Sequence, residues 1–126
     1  MRVGVDIVDI DRIANWISTD RERLNRIFTR RELDYIHGKN WAAETVAGMF
    51  CAKEAFFKAI GTGIIPSKML EIEVLHDHQG VPYFKMSPRI VNDHRLSTAK
   101  ISLSISHTKT TIAIAVCNIL HIENFI

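Results

Sequence analysis

The sequence has little of what marks a secreted, fibrous or membrane-spanning chain. Only two cysteines, Cys51 and Cys117, occur in 126 residues, both inside apolar stretches and far apart. They are too few for a disulfide framework or a zinc ribbon, and are expected to be reduced core thiols. Three prolines and six glycines exclude collagen-like and low-complexity architectures. No apolar run approaches the roughly 20 residues of a membrane helix, because Lys53 and Glu54 interrupt the longest candidate. The opening residues turn acidic at Asp6 and hold no apolar signal core, so the expected location is the cytoplasm. A net charge of only +2 argues against a nucleic-acid binder. Dinucleotide-binding, phosphate-loop and nucleophile-elbow motifs are all missing. The histidines at 37, 76, 78, 94 and 121 show no zinc-ligand spacing.

What is present suits one compact domain, residues 1–126, with 47% hydrophobic residues to fill a core. The pattern predicts a strand over Arg2–Val8, in which Val3, Val5 and Ile7 alternate with Gly4 and Asp6. Asp9 or Asp11 is expected to cap a helix carrying Ile13, Trp16 and Ile17, with a further helical stretch over Asp20–Phe28. Thr29 and Glu32 have capping-box spacing before a short helix that stops at Gly38. A long helix follows, capped by Asn40 and ended by Gly61. Strands are expected over Met69–His76 and Val81–Met86, then a short helix begun by Ser87 and Pro88. The last two strands, Ile101–Ser106 and Thr111–Leu120, flank a turn. One face of that hairpin reads Ile101, Leu103, Ile105, Ile112, Ile114 and Val116. The other reads Ser102, Ser104, Ser106, Ala113, Ala115 and Cys117, small enough for another backbone to approach closely. Helices and strands in this order make an α+β fold.

Charge is unevenly spread. Six arginines lie between Arg12 and Arg31, against Asp20 and Glu22, so this segment carries +4 and the remainder −2. The fork of an arginine suits carboxylates and phosphates, which points to an acidic macromolecular partner.

Three residues stand out chemically. Asp6 sits mid-strand among β-branched neighbours, where aspartate is disfavoured. The long helix is apolar around most of its circumference, which marks it as buried, yet Glu54 and Lys58 stand one turn apart on a single edge. An exposed pair at this spacing is worth only a few tenths of a kcal/mol. Joined with Asp6, Glu54 would complete a two-carboxylate site for magnesium, whose other ligands are usually waters and substrate phosphates. Lys58 would face those phosphates. Gly61 and Gly63 can free backbone amides for an anion. His107 and Lys109 at the hairpin tip stand where they can meet a phosphate.

Three segments then combine: Gly4-Val5-Asp6-Ile7-Val8-Asp9-Ile10-Asp11-Arg12-Ile13, Phe50-Cys51-Ala52-Lys53-Glu54-Ala55-Phe56-Phe57-Lys58 continuing to Gly61-Thr62-Gly63, and Ser104-Ile105-Ser106-His107. In this order and spacing they resemble the holo-acyl-carrier-protein synthases, the small class of 4′-phosphopantetheinyl transferases. The resemblance implies an antiparallel sheet packed on a long central helix. It also implies transfer of phosphopantetheine from coenzyme A to a serine of apo acyl carrier protein, releasing adenosine 3′,5′-bisphosphate, in fatty acid biosynthesis. By the same likeness Asp6 and Glu54 hold Mg2+, and Lys58 faces the pyrophosphate. His107 serves coenzyme A across the interface of a homotrimer, and arginines from Arg12 onward, Arg26 among them, meet the acidic carrier. The small-faced hairpin is then a possible trimer contact. One departure is that Met49 stands where the family usually has an arginine contributing to phosphate binding. Asn40 and Trp41 likewise replace residues that are often basic, so recognition of the 3′-phosphate must lean on His107, Lys109 or another cation. A docking module for acidic proteins would not need Asp6, Glu54 and Lys58 together, and a two-metal phosphodiesterase would need more ligands.

Overall fold

The computed structural model describes residues 1–121; the last five residues of the expected domain lie outside it. Strand β1 (Arg2–Asp9) leads into helices α1 (Ile10–Thr19), α2 (Glu22–Asn25), α3 (Arg30–Gly38) and α4 (Ala43–Ala59). A 3₁₀ turn, Pro66–Glu71, precedes strands β2 (Ile72–His76) and β3 (Pro82–Met86). Helix α5 (Pro88–Asp93) and strands β4 (Ala99–His107) and β5 (Ile112–His121) follow. The strands form an antiparallel sheet ordered β1-β5-β4 and a separate β2-β3 hairpin. The α+β fold built around a long helix is the one expected.

Helix α4 is the axis of the core. Val46, Cys51, Ala52, Ala55, Phe56 and Phe57 are inaccessible to solvent, as an almost wholly apolar helix requires. Against it lies the inner face of the three-stranded sheet. On β5 that face is Ala113, Ala115, Cys117 and Ile119, all fully buried.

Several local expectations need correction. The hairpin faces are assigned differently by the register, which pairs His107 with Ala113 and Ile105 with Ala115. Odd-numbered residues of both strands therefore share the inner face, so Ile101, Leu103 and Ile105 stand beside the small residues of β5. The serines share the outer face with Ile114 and Val116. A shift of one residue in pairing exchanges faces wholesale. In β1, likewise, Val3, Val5 and Ile7 face outward at 50–59% exposure, while Gly4, Asp6 and Val8 are buried.

The region Met69–Glu71 is 3₁₀ rather than strand, with Pro66 opening the turn, and Leu70 is exposed. Helix α2 spans only Glu22–Asn25, although Leu24, Ile27 and Phe28 are buried as expected. Asp9 precedes α1 but makes no side-chain capping bond. Asn40 does not cap α4: Asn40 and Trp41 both adopt φ of 57°, forming a sharp corner, and Ala42 precedes the helix. The capping box of Thr29 and Glu32 is present, and Ser87 accepts from the Ile90 amide at 3.1 Å.

Candidate active site

Gly4 permits the approach that creates the site. A Cβ at this position would lie 2.0 Å from the Ala55 carbonyl oxygen and 2.6 Å from the Ala59 nitrogen. No other residue lets β1 lie this close to α4 without displacing backbone. The close seam carries Asp6, two residues on, to the edge of α4 that bears Glu54 and Lys58.

There the side chains meet. Asp6 is 8% exposed, and its Oδ1 accepts from the Lys58 ammonium at 2.8 Å. The Asp6 backbone carbonyl accepts from the Cys51 thiol at 3.1 Å. Lys58 itself is half exposed. Its pKa is raised by the hydrogen bond to Asp6 and by that residue's charge. Glu54 is affected most: burial, then the hydrogen bond and negative charge of Asp6, push its pKa up to about 8, against opposing pulls from Arg12 and Lys58. Two carboxyl groups thus compete for too little positive charge. That is the electrostatic demand a hard divalent cation meets. Among the described residues no group of three or more His, Cys, Asp and Glu side chains forms a metal cage. Two carboxylates suit magnesium completed by waters and phosphate, and not a closed protein cage.

Glu54 also borders a cleft of about 260 Å³, with Arg12, Trp16, Phe50, Ile27 and Met69. Two guanidinium groups stack on Trp16 there, Arg12 at 4.9 Å and Arg23 at 4.8 Å from its ring centre. Its ring and that of Phe50 meet edge to face, with centres 5.2 Å apart. This places aromatic surface and positive charge directly beside the carboxylate pair.

Other expected site residues lie elsewhere. The amides of Gly61, Thr62 and Gly63 bond back to the carbonyls of Lys58 and Phe57, so they close the helix and are not free for an anion. Both glycines take positive φ, 89° and 66°, as helix-terminating residues do. His107 is exposed at the end of β4, where its Nδ1 lies 2.9 Å from the Thr108 carbonyl. It lines a second cavity of about 180 Å³ with Gly48, Met49 and Ile105, apart from the Glu54 cleft. Lys109 is exposed on the neighbouring turn, and Arg26 on the segment after α2.

One feature was not legible in the sequence. Lys53, there only an interruption in an apolar run, is completely buried with Glu32. Its ammonium donates to Glu32 Oε1 at 2.7 Å and to the carbonyls of Ile27 and Met69 at 2.6 and 2.8 Å. Glu32 also accepts from the amides of Thr29 and Val74. Burial pushes the Glu32 pKa up and that of Lys53 down, and mutual contact pulls each back. The sole sequence signal was Glu32 in its capping box, which accounts for one of its oxygens.

Three comparisons bear on the fold and the family. The family model for the 4′-phosphopantetheinyl transferase superfamily matches residues 2–117. A holo-[acyl-carrier-protein] synthase of Clostridium botulinum is 37% identical over 119 residues, covering 94% of this chain and 97% of the relative. One from Alkaliphilus oremlandii is 42% identical over 110 residues, covering 86% and 89%. The crystal structure of a Bacillus anthracis holo-(acyl-carrier-protein) synthase in complex with CoA (3′,5′-ADP) superposes with a TM-score of 0.76 at 34% identity, covering 92% of each chain.

Proposed function

This chain belongs to the 4′-phosphopantetheinyl transferase superfamily, in its holo-[acyl-carrier-protein] synthase group, and we propose that it moves phosphopantetheine from coenzyme A to a serine of apo acyl carrier protein. The carrying observation is that Asp6, Glu54 and Lys58 converge on one edge of α4 with no activated nucleophile among them. Cys51 is the nearest thiol, but burial first and then the Asp6 charge push its pKa up to about 12, so it stays protonated. The nucleophile therefore arrives on the second substrate. Its serine oxygen forms a bond to the β-phosphorus of coenzyme A, the pyrophosphate bond breaks, and adenosine 3′,5′-bisphosphate leaves. The hydroxyl proton passes to Glu54 or to water in the cleft.

Asp6 and Glu54 would hold Mg2+, which when bound supplies Lewis-acid polarisation of the phosphate oxygens. Lys58 binds the pyrophosphate and offsets charge that moves onto the departing phosphate. It can do so because it is half exposed and held by one bond to Asp6. Gly61 and Gly63 let the substrate pass close to a corner without side chains, and their role is steric. His107, in the cavity bordered by Met49, and Lys109, exposed on the adjoining turn, meet the nucleotide end. Within one chain that cavity is separate from the Glu54 cleft, which supports a homotrimer whose subunits share sites. The outward row of Val3, Val5, Ile7, Ile114 and Val116 supports the same assembly, being 37–59% exposed. Arg12 and Arg26 meet the acidic carrier. We place the reaction in the cytoplasm, serving fatty acid biosynthesis, in one domain.

The test is mass spectrometry of apo carrier protein incubated with coenzyme A, magnesium and this protein. The expected result is a gain of roughly 340 Da, one transferred phosphopantetheine. An unmodified carrier overturns the assignment.

A further inference from the structure

The Glu54 cleft has two walls, and one ammonium group ties them together. Phe50 and Glu54, on α4, form the first; Ile27, after α2, and Met69, on the 3₁₀ turn, form part of the second. Lys53 is also on α4, immediately before Glu54. From there its Nζ reaches across and bonds the main-chain carbonyls of both Ile27 and Met69. Its third proton goes to Glu32, so every donor of the ammonium is used. Glu32 in turn holds the amide of Val74 on β2 and that of Thr29, at 2.8 and 3.0 Å.

Two ions with no solvent exposure make an arrangement that stability alone does not favour. Well-packed apolar residues of similar volume commonly serve the fold as well or better. What an apolar pair cannot supply is directionality. Two short hydrogen bonds, with a third to Glu32 that orients the ammonium, fix where Ile27 and Met69 lie relative to Glu54, whereas an apolar contact would let them slide.

We propose that Lys53, braced by Glu32, is a positioning residue that sets the width of the cleft between Glu54 and the Ile27–Met69 wall, and thereby the seating of the serine-bearing carrier segment. The inference rests on the transfer reaction proposed above. Coenzyme A is assigned to the other cavity and to Lys58, so this tie acts on the acceptor protein. A cleft wall displaced by about 1 Å can cost up to a hundred-fold in a reaction governed by alignment.

The test uses the full chain with Lys53→Met and Glu32→Gln together, which removes both charges and nearly conserves volume. Folding is checked by circular dichroism, carrier kinetics by mass spectrometry, and coenzyme A affinity by calorimetry. The expected result is a folded protein whose KM for carrier rises about ten-fold, with the coenzyme A Kd changed less than about two-fold. Ile36→Val, a core substitution away from the cleft, serves as control and should leave both constants in place. Should the double variant not fold, Lys53→Gln, with two N–H donors on a shorter stem, must raise the carrier KM in its stead. An unchanged carrier KM in either folded variant overturns the proposal. So does an equal loss of coenzyme A affinity, or an equal KM change in Ile36→Val, because each would make the pair general structural support. If the wild-type chain neither binds nor modifies carrier, the transfer reading itself has failed.

Discussion

Glu54 holds a proton at neutral pH in the cation-free protein, because burial and the Asp6 carboxylate both oppose its ionisation and hold its pKa at about 8. An unfolded chain releases that proton near 4.5, the usual value. Between these two values the folded state binds more protons than the unfolded one, so stability falls as pH rises. This contribution is complete below 4.5 and gone once pH has passed about 8. Thermal melts of cation-free protein across that range should show a declining melting temperature, and Glu54→Gln should remove this part of the slope. Magnesium held by Asp6 and Glu54 as proposed would compete with the proton, so it should stabilise wild type more at the alkaline end than at the acid end. Equal stabilisation at both ends would dissociate the metal from this carboxyl. Asp6→Asn and Glu54→Gln should each lower transfer activity at limiting magnesium at least about a hundred-fold. Asp6 drew attention in the sequence because aspartate suits mid-strand poorly. Lys53 did not, because its partners lie on three segments that only the tertiary fold assembles.

The β1–α4 seam is the element on which the site depends, and Gly4 is its closest point. A methyl group there would sit 2.0 Å from a main-chain oxygen, with no flexible side chain to yield. Gly4→Ala should therefore destabilise the protein by about 3 kcal/mol or more, the upper range of overpacking effects. Any folded fraction should lose transfer activity as well, since Asp6 would retreat from Glu54. Denaturant melts and the transfer assay check both, and wild-type stability would show that the seam has slack. At this scale the sequence disclosed element order and type well, since periodicity and capping are local. It did not disclose which face of β1 points inward. The alternation of Val3, Val5 and Ile7 reads as a core face, but tertiary packing selects Gly4 and Asp6. The last hairpin shows the same limit: turn geometry sets its register, and parity alone decides whether Ile114 or Ala115 meets the helix. The 3₁₀ turn at Met69 escaped because its Leu70, Ile72, Val74 alternation also fits a strand.

Across the whole molecule, two surfaces oppose each other in character. The outer face of the sheet carries an exposed apolar row on β1 and β5 beside the serines of β4, while the arginine segment is polar and partly engaged. A shared-site trimer predicts complementation: His107→Ala chains mixed with Asp6→Asn chains should regain activity that neither pure variant has. No recovery after confirmed subunit exchange would place the whole site in one chain. The carrier contacts proposed for the arginines would act over longer range. Several already have partners: Arg23 with Asp20, Arg30 with Asp34, Arg31 with Glu73, and Arg21 stacked on Trp41. Arg26 is exposed and, among the described residues, enters none of these contacts. Arg12 is exposed too, but it acts on Glu54, so its reversal would disturb the carboxylate pair as well as the surface. Arg26→Glu is consequently the cleaner probe of carrier recognition. Opposed charge chiefly accelerates encounter, and salt weakens it as the screening length shortens. The variant should raise the carrier KM several-fold at low salt, converge toward wild type as salt increases, and leave coenzyme A affinity unchanged. Steady-state kinetics at a series of salt concentrations, with calorimetry for coenzyme A, provides the measurement. If coenzyme A binding weakens while carrier kinetics hold, the segment serves the nucleotide and not the acidic protein.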